Sequence, residues 1–530
     1  MEQISDWKVE FSPEVSPGER ELIYNHFQGK NEPSLIVKKG HHRCVERISQ
    51  TGVDIYAKTN YLHNLRARLR RLFRPSKSKM EFHALLGLKT IGLPSLIPLA
   101  WAENSQRFGE SILFTRGIKG SITMEAYWQS FWGLANKKDK NKIARNWAKL
   151  IANMHGFGHF HPDPHPGNLL VLEDSLELLV IDIHQPARRR SPSLQNRMED
   201  LAAWSMWANL RIGRLDLARF LKYYLQLAKL RGLKKWWIEI SKLTTLKQQR
   251  FWVRHESNIL QGSHRRFVKI NSHGIVGQAL GTFTSSAMEI ATQLRLQGSF
   301  KDHLSTIKCS HSSIVYRTNW QGISYIIKIM PWKTTIISSL KRFFNLNPAK
   351  NQWFWSNALL LRLLPTPKSF AWFNDRMTRQ SVIITQDLVE AKQIDHWLEM
   401  HRNNPLLIQG GVKVLAQTIR TLHQRGVYNR DMKAANIMID QHGKIFWVDL
   451  GGMGHLNFQK DERKIKDIAR LAGSFWQNRN LSNQDRLRFL KSYLPRNEWA
   501  SKRYKATWNL IESHALLRIS ARKAKGRVLG

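Results

Sequence analysis

Apolar and polar residues alternate along two similar stretches of the chain. Residues 41–60 (HHRCVERISQTGVDIYAKTN) and residues 311–330 (HSSIVYRTNWQGISYIIKIM) each carry this alternation on both sides of a glycine-containing turn. Because successive side chains of a strand point to opposite faces, each stretch is predicted to form two β-strands joined by a turn. Each second strand contains one lysine, Lys58 in the first stretch and Lys328 in the second.

After each predicted pair of strands, the apolar residues follow a helical spacing. Residues 79–94 and 352–367 follow a helical pattern that ends in proline, and Glu81 of the first aligns with Gln352 of the second. A longer helical face then precedes each of two polar motifs, and two short apolar runs separated by a polar turn follow each motif. The faces consist of Ile143, Trp147, Leu150, Ile151 and Met154 in the first half, and of Val412, Leu415, Ala416, Ile419 and Leu422 in the second. This succession predicts an α+β fold in both halves.

The polar motifs also repeat. The stretch ANMHGFGHFHPDPHPGNLLV begins at Ala152, and RTLHQRGVYNRDMKAANIMI begins at Arg420. Four pairs lie 268 residues apart and two further pairs lie 267 apart: His155/His423, Gly158/Gly426, Asp163/Asp431, Asn168/Asn436, then Asp182/Asp449 and Asp200/Asp467. A period of this length indicates two copies of one domain rather than a solenoid.

These residue types have the chemistry that phosphoryl transfer from ATP requires. A lysine contacts the phosphates, an aspartate and an asparagine bind Mg²⁺, and another aspartate orients the attacking hydroxyl and accepts its proton. The candidates, in that order, are Lys58, Asp182, Asn168 and Asp163 in the first half, and Lys328, Asp449, Asn436 and Asp431 in the second. Glu81 is expected to pair with the first lysine, and Lys433 is expected near the transferred phosphate.

The first motif matches the kinase catalytic-loop pattern H-x-D-x-x-x-x-N, while Asn429 replaces the histidine in the second. An Asp and an Asn five residues apart form a weak signal by themselves. The constant offset and the matched upstream lysines make the signal strong for the fold. Asp200 and Asp467 are expected to brace the catalytic loops, and His155 and His423 to be buried structural residues.

The most informative feature of the composition is the net charge. A chain of 530 residues is too long for one core, and its 42% hydrophobic content is typical of globular domains. Lys and Arg number 83 against 40 Asp and Glu, which gives a formal net charge of +43. Such an excess implies an anionic partner: nucleic acid, a phospholipid surface or a phosphorylated glycan. Nucleic acid is disfavoured because no zinc, helix-turn-helix or RNA-recognition signature accompanies the charge.

The two cysteines, Cys44 and Cys309, are far apart and outside any metal-ligand spacing, which fits a reducing cytoplasm. The N-terminus lacks the apolar core of a signal peptide, and no run of about 18 apolar residues predicts a transmembrane helix. We therefore expect any membrane contact to be peripheral. The basic amphipathic segment at residues 65–79 (LRARLRRLFRPSKSK) suits an anionic membrane surface or a phosphorylated glycolipid, although a solvated helix has the same pattern.

The sequence resembles the lipopolysaccharide kinase (Kdo/WaaP) family, present in tandem. The resemblance rests on HPDPHPGNLLV with VIDIHQ, on YNRDMKAANIMI with WVDLGG, and on the two alternating stretches; it covers roughly residues 35–230 and 300–480. HPDPHPGN is also similar to aminoglycoside phosphotransferases and quinone-biosynthesis (ABC1-like) kinases. The family resemblance implies two tandem protein-kinase-like bilobal domains, each with a small β-rich lobe and a helical lobe. It also implies phosphorylation of Kdo or heptose in the lipopolysaccharide inner core. The implied reaction uses ATP and Mg²⁺ at the cytoplasmic face of the inner membrane of a Gram-negative bacterium.

Each half departs from the kinase pattern in a different way. Neither contains G-x-G-x-x-G, the first half lacks the glycine expected after Asp182, and Gln352 cannot form the ion pair expected of Glu81. We expect both halves to retain nucleotide contacts and at least one to be catalytic. The alternatives are a nucleotide-binding pseudokinase or scaffold in envelope biogenesis, and a protein kinase or lipid-pathway kinase. The predicted organisation is an N-terminal extension (1–34), domain 1 (35–235), a helical connecting segment (236–300) and domain 2 (301–530).

Overall fold

The structure is a computed structural model of the 530-residue chain. It describes every residue except 31–33, 41, 51, 63–64, 184–186, 189–191, 265, 297–303, 333–346, 457–460, 477, 479, 496–501 and 525–530. The side chains of residues 65–67, 70, 187–188, 461, 502–503 and 522–523 also lie outside this description. The chain divides into two compact units, Met1–Arg250 and Phe251–Gly530.

The first unit consists of a β-rich lobe followed by a helical lobe. Its strands are β1 (Glu2–Ile4), β2 (Trp7–Phe11), β3 (Leu35–Gly40), β4 (Arg43–Gln50), β5 (Val53–Asn60), β6 (Pro98–Asn104), β7 (Ser111–Arg116), β8 (Ser121–Thr123), β9 (His159–Phe160), β10 (Leu169–Leu172), β11 (Leu178–Val180) and β12 (Ala187–Arg188). Its helices are α1 (Pro17–Phe27), α2 (Leu65–Leu72), α3 (Lys77–Thr90), α4 (Met124–Ser130), α5 (Lys137–Gly156), α6 (Leu194–Arg211), α7 (Arg214–Leu227) and α8 (Leu233–Gln261), the last of which ends in the second unit.

An antiparallel seven-stranded sheet forms the β-rich lobe, in the order β1-β2-β6-β7-β5-β4-β3. The predicted alternation produces β4 and β5, whose inward positions bury Ile48 and Ile55. Helix α3 begins where the hydroxyl of Ser76 accepts a hydrogen bond from the Lys79 amide at 3.2 Å. Apolar residues of α3 pack on β6 and β7 in one buried cluster, formed by Phe82, Leu85, Trp101 and Leu113. This packing fixes the helix that carries Glu81.

The helical lobe is built on α5, which buries the five residues of its predicted apolar face. Trp147 of α5 stacks on Phe220 of α7 with their ring centroids 3.8 Å apart. Burial of each large apolar side chain contributes about 1.5–3 kcal/mol, so that this face holds the lobe together. Two small sheets, β11-β10-β8 and β12-β9, flank the loop between β9 and β10.

The second unit has the same two lobes. Its strands are β13 (Phe267–Ser272), β14 (Ile275–Leu280), β15 (Leu304–Ser310), β16 (Ser313–Trp320), β17 (Ile323–Pro331), β18 (Ser369–Asp375), β19 (Gln380–Gln386), β20 (Lys392–Gln393), β21 (Val427–Asn429), β22 (Ile437–Ile439), β23 (Ile445–Trp447) and β24 (Met453–His455). Its helices are α9 (Thr284–Leu296), α10 (Pro348–Leu361), α11 (Ile394–Met400), α12 (Pro405–Gln424), α13 (Asp461–Ser474), α14 (Asn483–Tyr493) and α15 (Lys502–Lys523).

Strand order repeats between the units. The large sheet of the second unit runs β13-β14-β18-β19-β17-β16-β15, which matches the first sheet strand for strand. The small sheets β20-β22-β23 and β21-β24 repeat those of the first unit in the same way. Both units are therefore α+β, as predicted. No helix in the described part of the chain is both long and apolar enough to cross a bilayer.

The boundaries predicted from the sequence differ from this arrangement in two places. Residues 1–34 do not stand apart as an extension, because β2 pairs with β6 and so belongs to the first sheet. Residues 236–300 are not helical throughout, since β13 and β14 occupy the corresponding edge of the second sheet. Strands β13 and β14 could have been recognised from the alternation of apolar and polar residues on either side of Asn271–Gly274. His273 and Gly274 adopt positive φ there, in a tight turn. Strands this short carry too little periodicity to stand out from a helical surrounding.

Candidate active sites

The cleft of the first unit contains a buried lysine–glutamate pair. Lys58 lies on β5, between Val45 of β4 and Leu113 of β7. Its Nζ is 2.9 Å and 2.7 Å from the two carboxylate oxygens of Glu81 on α3. Glu81 is only 2% exposed. The structure thus brings together the two residues that the sequence pattern had paired across 23 positions.

Asp182 follows β11 and enters the same cleft. Its Oδ1 lies 2.6 Å from Lys58 Nζ, and its Oδ2 lies 3.0 Å from a terminal nitrogen of Arg43 on β4. The backbone of Asp182 is left-handed, with φ of 62°. Such a conformation costs a non-glycine residue about 1–2 kcal/mol and is most often kept where function requires it. Arg43 was missed from the sequence, because nothing local links it to an aspartate 139 residues away.

The catalytic loop of the first unit holds the remaining predicted residues. Asn168 donates from Nδ2 to the backbone oxygen of Asp163 at 2.9 Å and lies 3.5 Å from its Oδ2. The amide of Asp163 donates to Nδ1 of His161, which is buried. Burial lowers the pKa of His161, so this ring is neutral and accepts that bond. His165 follows Asp163 by two residues, and burial also lowers its pKa.

In the second unit, Lys328 lies on β17 in the register of Lys58, between Val315 and Ile383. Its Nζ is 2.8 Å from Asp449 Oδ1. Asp449 also has a left-handed backbone, with φ of 51°. Gln352 of α10 does not take the place of Glu81 as a charge partner, since its amide nitrogen instead lies 3.8 Å from the sulfur of Met330.

The second catalytic loop is more tightly connected than the first. Asn436 donates from Nδ2 to both the backbone oxygen and Oδ2 of Asp431, each at 2.9 Å. Lys433 Nζ lies 2.9 Å from the same Oδ2. Burial alone would raise the pKa of Asp431, but the hydrogen bond and charge of Lys433, together with Asn436, outweigh it and keep the pKa below its usual value. Asp431 is therefore a carboxylate at neutral pH.

Asn429 replaces His161 in structure as well as in sequence. Its Oδ1 accepts the amide of Asp431 at 2.9 Å, as His161 Nδ1 does for Asp163 in the first unit. The backbone of Gly452 passes directly beside this loop, where an added Cβ would lie 2.7 Å from the Asp431 nitrogen. A larger residue would displace the loop, which explains the second glycine of DLGG. The corresponding residues of the first half, 184 and 185, lie outside the described part of the chain.

A buried histidine–aspartate–tyrosine brace occurs in each unit, next to the end of the helix that precedes the catalytic loop. His155 Nδ1 is 2.8 Å from the Tyr224 hydroxyl and its Nε2 is 3.0 Å from Asp200. The second unit repeats the brace: His423 Nδ1 is 2.8 Å from the Tyr493 hydroxyl, and its Nε2 is 3.3 Å from Asp467. Asp467 also accepts the backbone amide of Asn429 at 2.7 Å, as predicted for a bracing residue. The two tyrosines were missed, although their spacing of 269 residues in the sequence continues the repeat.

A cavity of about 910 Å³ opens in the cleft of the second unit. Its lining includes Lys328, Asp431, Lys433, Asn436 and Asp449. This volume lies in the usual range for sites that enclose a ligand of nucleotide size. Within the described residues there is no cluster of three or more His, Cys, Asp or Glu side chains arranged to hold a metal ion. A metal in this cleft would depend on aspartate and asparagine oxygens.

Comparison with known proteins agrees with this geometry. The model of the lipopolysaccharide kinase (Kdo/WaaP) family matches residues 32–224 and again 312–493, which together exceed half of the chain. The chain is also similar to many solved structures, including the following two. WaaP in complex with acyl carrier protein is 20% identical over 46% of this chain and 97% of that one, with a TM-score of 0.33. The PknI kinase domain of Mycobacterium tuberculosis is 13% identical over 40% of this chain and 96% of that one, with a TM-score of 0.25.

No match was found among curated protein sequences. The family match covers both units separately, so each unit is a kinase-like domain and the protein is a tandem repeat of that domain. Phosphoryl transfer from ATP is the reaction class of a kinase family, and the family match therefore supports a phosphotransferase. The chain belongs to the lipopolysaccharide kinase (Kdo/WaaP) family.

Proposed function

We propose that the protein transfers the γ-phosphoryl group of ATP to a sugar hydroxyl, on Kdo or heptose, of the lipopolysaccharide inner core. We further propose that the second unit performs the transfer. The observation that carries this assignment is the bonded cluster of Asp431, Lys433 and Asn436 in a cavity that also contains the Lys328–Asp449 pair. The family match supports the substrate class, and the cluster supports the choice of unit.

Asp431 is suited to accept the proton of the attacking hydroxyl. Its lowered pKa keeps it ionised, and the contacts of Asn436 Nδ2 and Lys433 Nζ with Oδ2 orient its carboxylate. General-base assistance by a positioned carboxylate contributes about 10²–10⁴-fold to a rate. Lys433 is close enough to the same carboxylate to contact an oxygen of the phosphoryl group as the hydroxyl approaches it. The loop therefore contributes both orientation and charge.

The second cleft fits Mg²⁺, which prefers oxygen ligands. Lys328 contacts Oδ1 of Asp449, and no described residue forms a hydrogen bond with Oδ2. Asn436 turns its amide nitrogen toward Asp431, so that its oxygen is the atom left for a metal. When bound with ATP, Mg²⁺ would neutralise charge on the phosphates. Asp449 and Asn436 would hold it, while Lys328 would contact the phosphates.

The acceptor is proposed to be an anionic glycolipid approached at a membrane surface. Helix α2 supports a surface contact. Arg71 is bound to Glu103 of β6 at 2.6 Å, while Leu69 and Leu72 of the helix and Phe73 directly after it are 61%, 63% and 88% exposed. Exposed apolar side chains beside arginines are typical of segments that lie on anionic bilayers. The formal charge of +43 would attract the chain to such a surface.

This surface contact has a direct test. The Leu69→Ser/Phe73→Ser variant should sediment less than the wild type with vesicles that contain anionic phospholipid. Neither the wild type nor the variant should sediment with vesicles of phosphatidylcholine alone. Equal sedimentation of both forms would remove α2 from the proposal. A contact of this kind corresponds to a peripheral position on the cytoplasmic face of the inner membrane, where the inner core is reached before export.

The transfer itself is tested with radiolabelled Mg·ATP and purified core acceptors that differ in whether Kdo or heptose is available. The wild type should label one class of acceptor, and mass spectrometry should locate the phosphate on its sugar. The Asp163→Asn/Asp431→Asn double variant is the control for contaminating kinases. A wild-type protein that binds nucleotide but labels no core acceptor would contradict the sugar-kinase proposal and favour a nucleotide-binding scaffold.

A further inference from the structure

Among the described residues, Lys58 and Arg43 both contact the carboxylate of Asp182, whereas the carboxylate of Asp449 contacts Lys328. Lys58 and Lys328 make the shared contact. The additional contact comes from Arg43, 3.0 Å from Asp182 Oδ2. The register of the sheets identifies its counterpart: Val45 pairs with Lys58, and Val315 pairs with Lys328. Two residues earlier on each strand stand Arg43 and Ser313, so the second unit has a neutral hydroxyl at this position.

The extra cation changes what Asp182 can bind. An arginine side chain is always charged in proteins, so the contact does not disappear with pH. The side chain of Asp182 is 21% exposed, against 44% for Asp449. A divalent cation on Asp182 would have to displace Arg43 from Oδ2 or sit close to two positive charges. The residues of the first cleft therefore do not fit Mg²⁺ as those of the second do.

The catalytic loop of the first unit also lacks a charged residue that the second unit has. Where the second unit has Lys433, the first has His165, whose pKa is lowered by burial. This ring is neutral near pH 7, and its Nδ1 already accepts the amide of Gly167 at 2.9 Å. The loop thus lacks the cation that would meet a transferred phosphate. Arg43 of β4 and Lys58 of β5 supply the cations that contact Asp182 in this cleft. The charges of Lys38 and Arg211 further lower the pKa of His165.

We propose that the first unit is a nucleotide site that works without a divalent cation, with Arg43 taking over the charge of the metal. The inference rests on the proposed function, which assigns transfer to the second unit. A guanidinium has five N–H donors, so Arg43 can keep its contact with Asp182 and still donate to phosphate oxygens. Lys58, held by Glu81, supplies the second positive charge. The ligand is a nucleoside triphosphate, bound with its phosphates on Arg43 and Lys58.

The experiment uses the full chain with Lys328→Met and Asp449→Asn, which removes the phosphate and metal contacts of the second unit. Binding of a fluorescent ATP analogue is measured with excess Mg²⁺ and with EDTA. The proposal predicts equal affinity in the two conditions. Adding Arg43→Ser should weaken binding in EDTA by about tenfold, the value of one charge-assisted contact, and should make binding depend on Mg²⁺.

Two further variants separate charge from folding. Arg43→Lys keeps the charge and should retain metal-free binding. Arg47→Ser removes a neighbouring arginine of β4 that pairs with Asp54, at 2.9 Å, and should change nothing in nucleotide binding. Thermal unfolding of each variant shows whether the β-rich lobe is intact.

Binding that requires Mg²⁺ while Arg43 is present would overturn the proposal, as would the absence of nucleotide binding in the Lys328→Met/Asp449→Asn chain. Unchanged metal-free affinity in Arg43→Ser would also overturn it. Labelling of core glycan by the wild-type protein is measured in parallel. If the wild-type protein labels no core glycan, the result counts against the sugar-kinase proposal alone, because nucleotide binding by the first unit does not depend on transfer to a glycan.

Discussion

The two units share a backbone and differ in their charges. Both order seven strands in the same way, both place a lysine in the same register, and both hold an aspartate at positive φ after the hairpin. Around this common frame, Arg43 in the first unit corresponds to Ser313 in the second, and His165 corresponds to Lys433. Only the second unit therefore combines a carboxylate that is accessible to a metal with a lysine on the catalytic loop.

The difference separates residues that maintain the fold from residues that decide the chemistry. The bracing histidines are buried in both units, at 1% and 3% exposure, and each keeps its aspartate and tyrosine partners. Replacing them would leave polar groups buried without partners, which is costly. The side chains of Arg43 and Lys433 are 29% and 32% exposed, so these cleft residues can change at less cost to stability. A duplicated domain can thus keep its shape while one copy takes on a different role.

The largest expected effect on stability concerns an ion pair within the second unit. Arg362, 4% exposed at the end of α10, pairs with Glu256 of α8, which is 6% exposed. The first unit has Ile91 at the corresponding position, 271 residues earlier. Arg362→Leu should destabilise the second unit by about 3–5 kcal/mol, because it leaves Glu256 buried without its main cation. Chemical denaturation measures the loss.

A matched double variant tests the cause. Arg362→Leu/Glu256→Leu removes both charges and should recover a large part of the stability that Arg362→Leu loses. If Arg362→Leu unfolds at the same denaturant concentration as the wild type, this pair does not distinguish the units.

Removal of Lys433 should reduce transfer by about a hundredfold, since it takes away a cation beside the reacting groups. It should also change the pH dependence. Burial raises the pKa of Asp431, and Lys433 supplies the strongest of the interactions that lower it, so that removing Lys433 should raise this pKa. The carboxylate would accept a proton at higher pH, so the acid limb of the kcat/KM profile should move to higher pH in Lys433→Met.

Lys413→Met is the matched control for this change, because Lys413 is an exposed residue of α12 on the same lobe. Its pH profile should superimpose on that of the wild type. An acid limb that stays in place in Lys433→Met would mean that Asp431 is not the group that titrates.

The smallest expected effects concern the shared braces. Tyr224→Phe and Tyr493→Phe each remove a buried hydrogen bond to a histidine, and Tyr224→Phe also removes a 3.3 Å bond from Arg197. Each substitution should cost about 1 kcal/mol of unfolding free energy. Tyr223→Phe is a suitable control, since no described residue forms a hydrogen bond with the Tyr223 hydroxyl. Equal losses in the two units would support a common structural role. A loss in only one would show that the braces have diverged as well.

Sequence patterns predicted the parts of this molecule that depend on local spacing. Alternation identified β4, β5, β16 and β17, and helical spacing identified the apolar faces of α5 and α12. The residues of both catalytic loops followed from motifs only a few positions long. Arg43 could not be found in this way, because its contact with Asp182 joins β4 to the segment after β11, 139 residues away and outside the sheet that contains β4. The two strands at one end of each large sheet, β1 and β2 in the first unit and β13 and β14 in the second, were missed because short alternations are ambiguous without their neighbours.

The central claim is that transfer belongs to the second unit, and single substitutions of the two loop aspartates test it most directly. Initial rates of phosphate transfer from Mg·ATP to lipopolysaccharide core are measured for the wild type, Asp163→Asn and Asp431→Asn at equal nucleotide saturation. The account predicts a loss of about 10²–10⁴-fold in Asp431→Asn, with most of the rate retained in Asp163→Asn. The opposite result, in which Asp163→Asn abolishes transfer and Asp431→Asn does not, would contradict it.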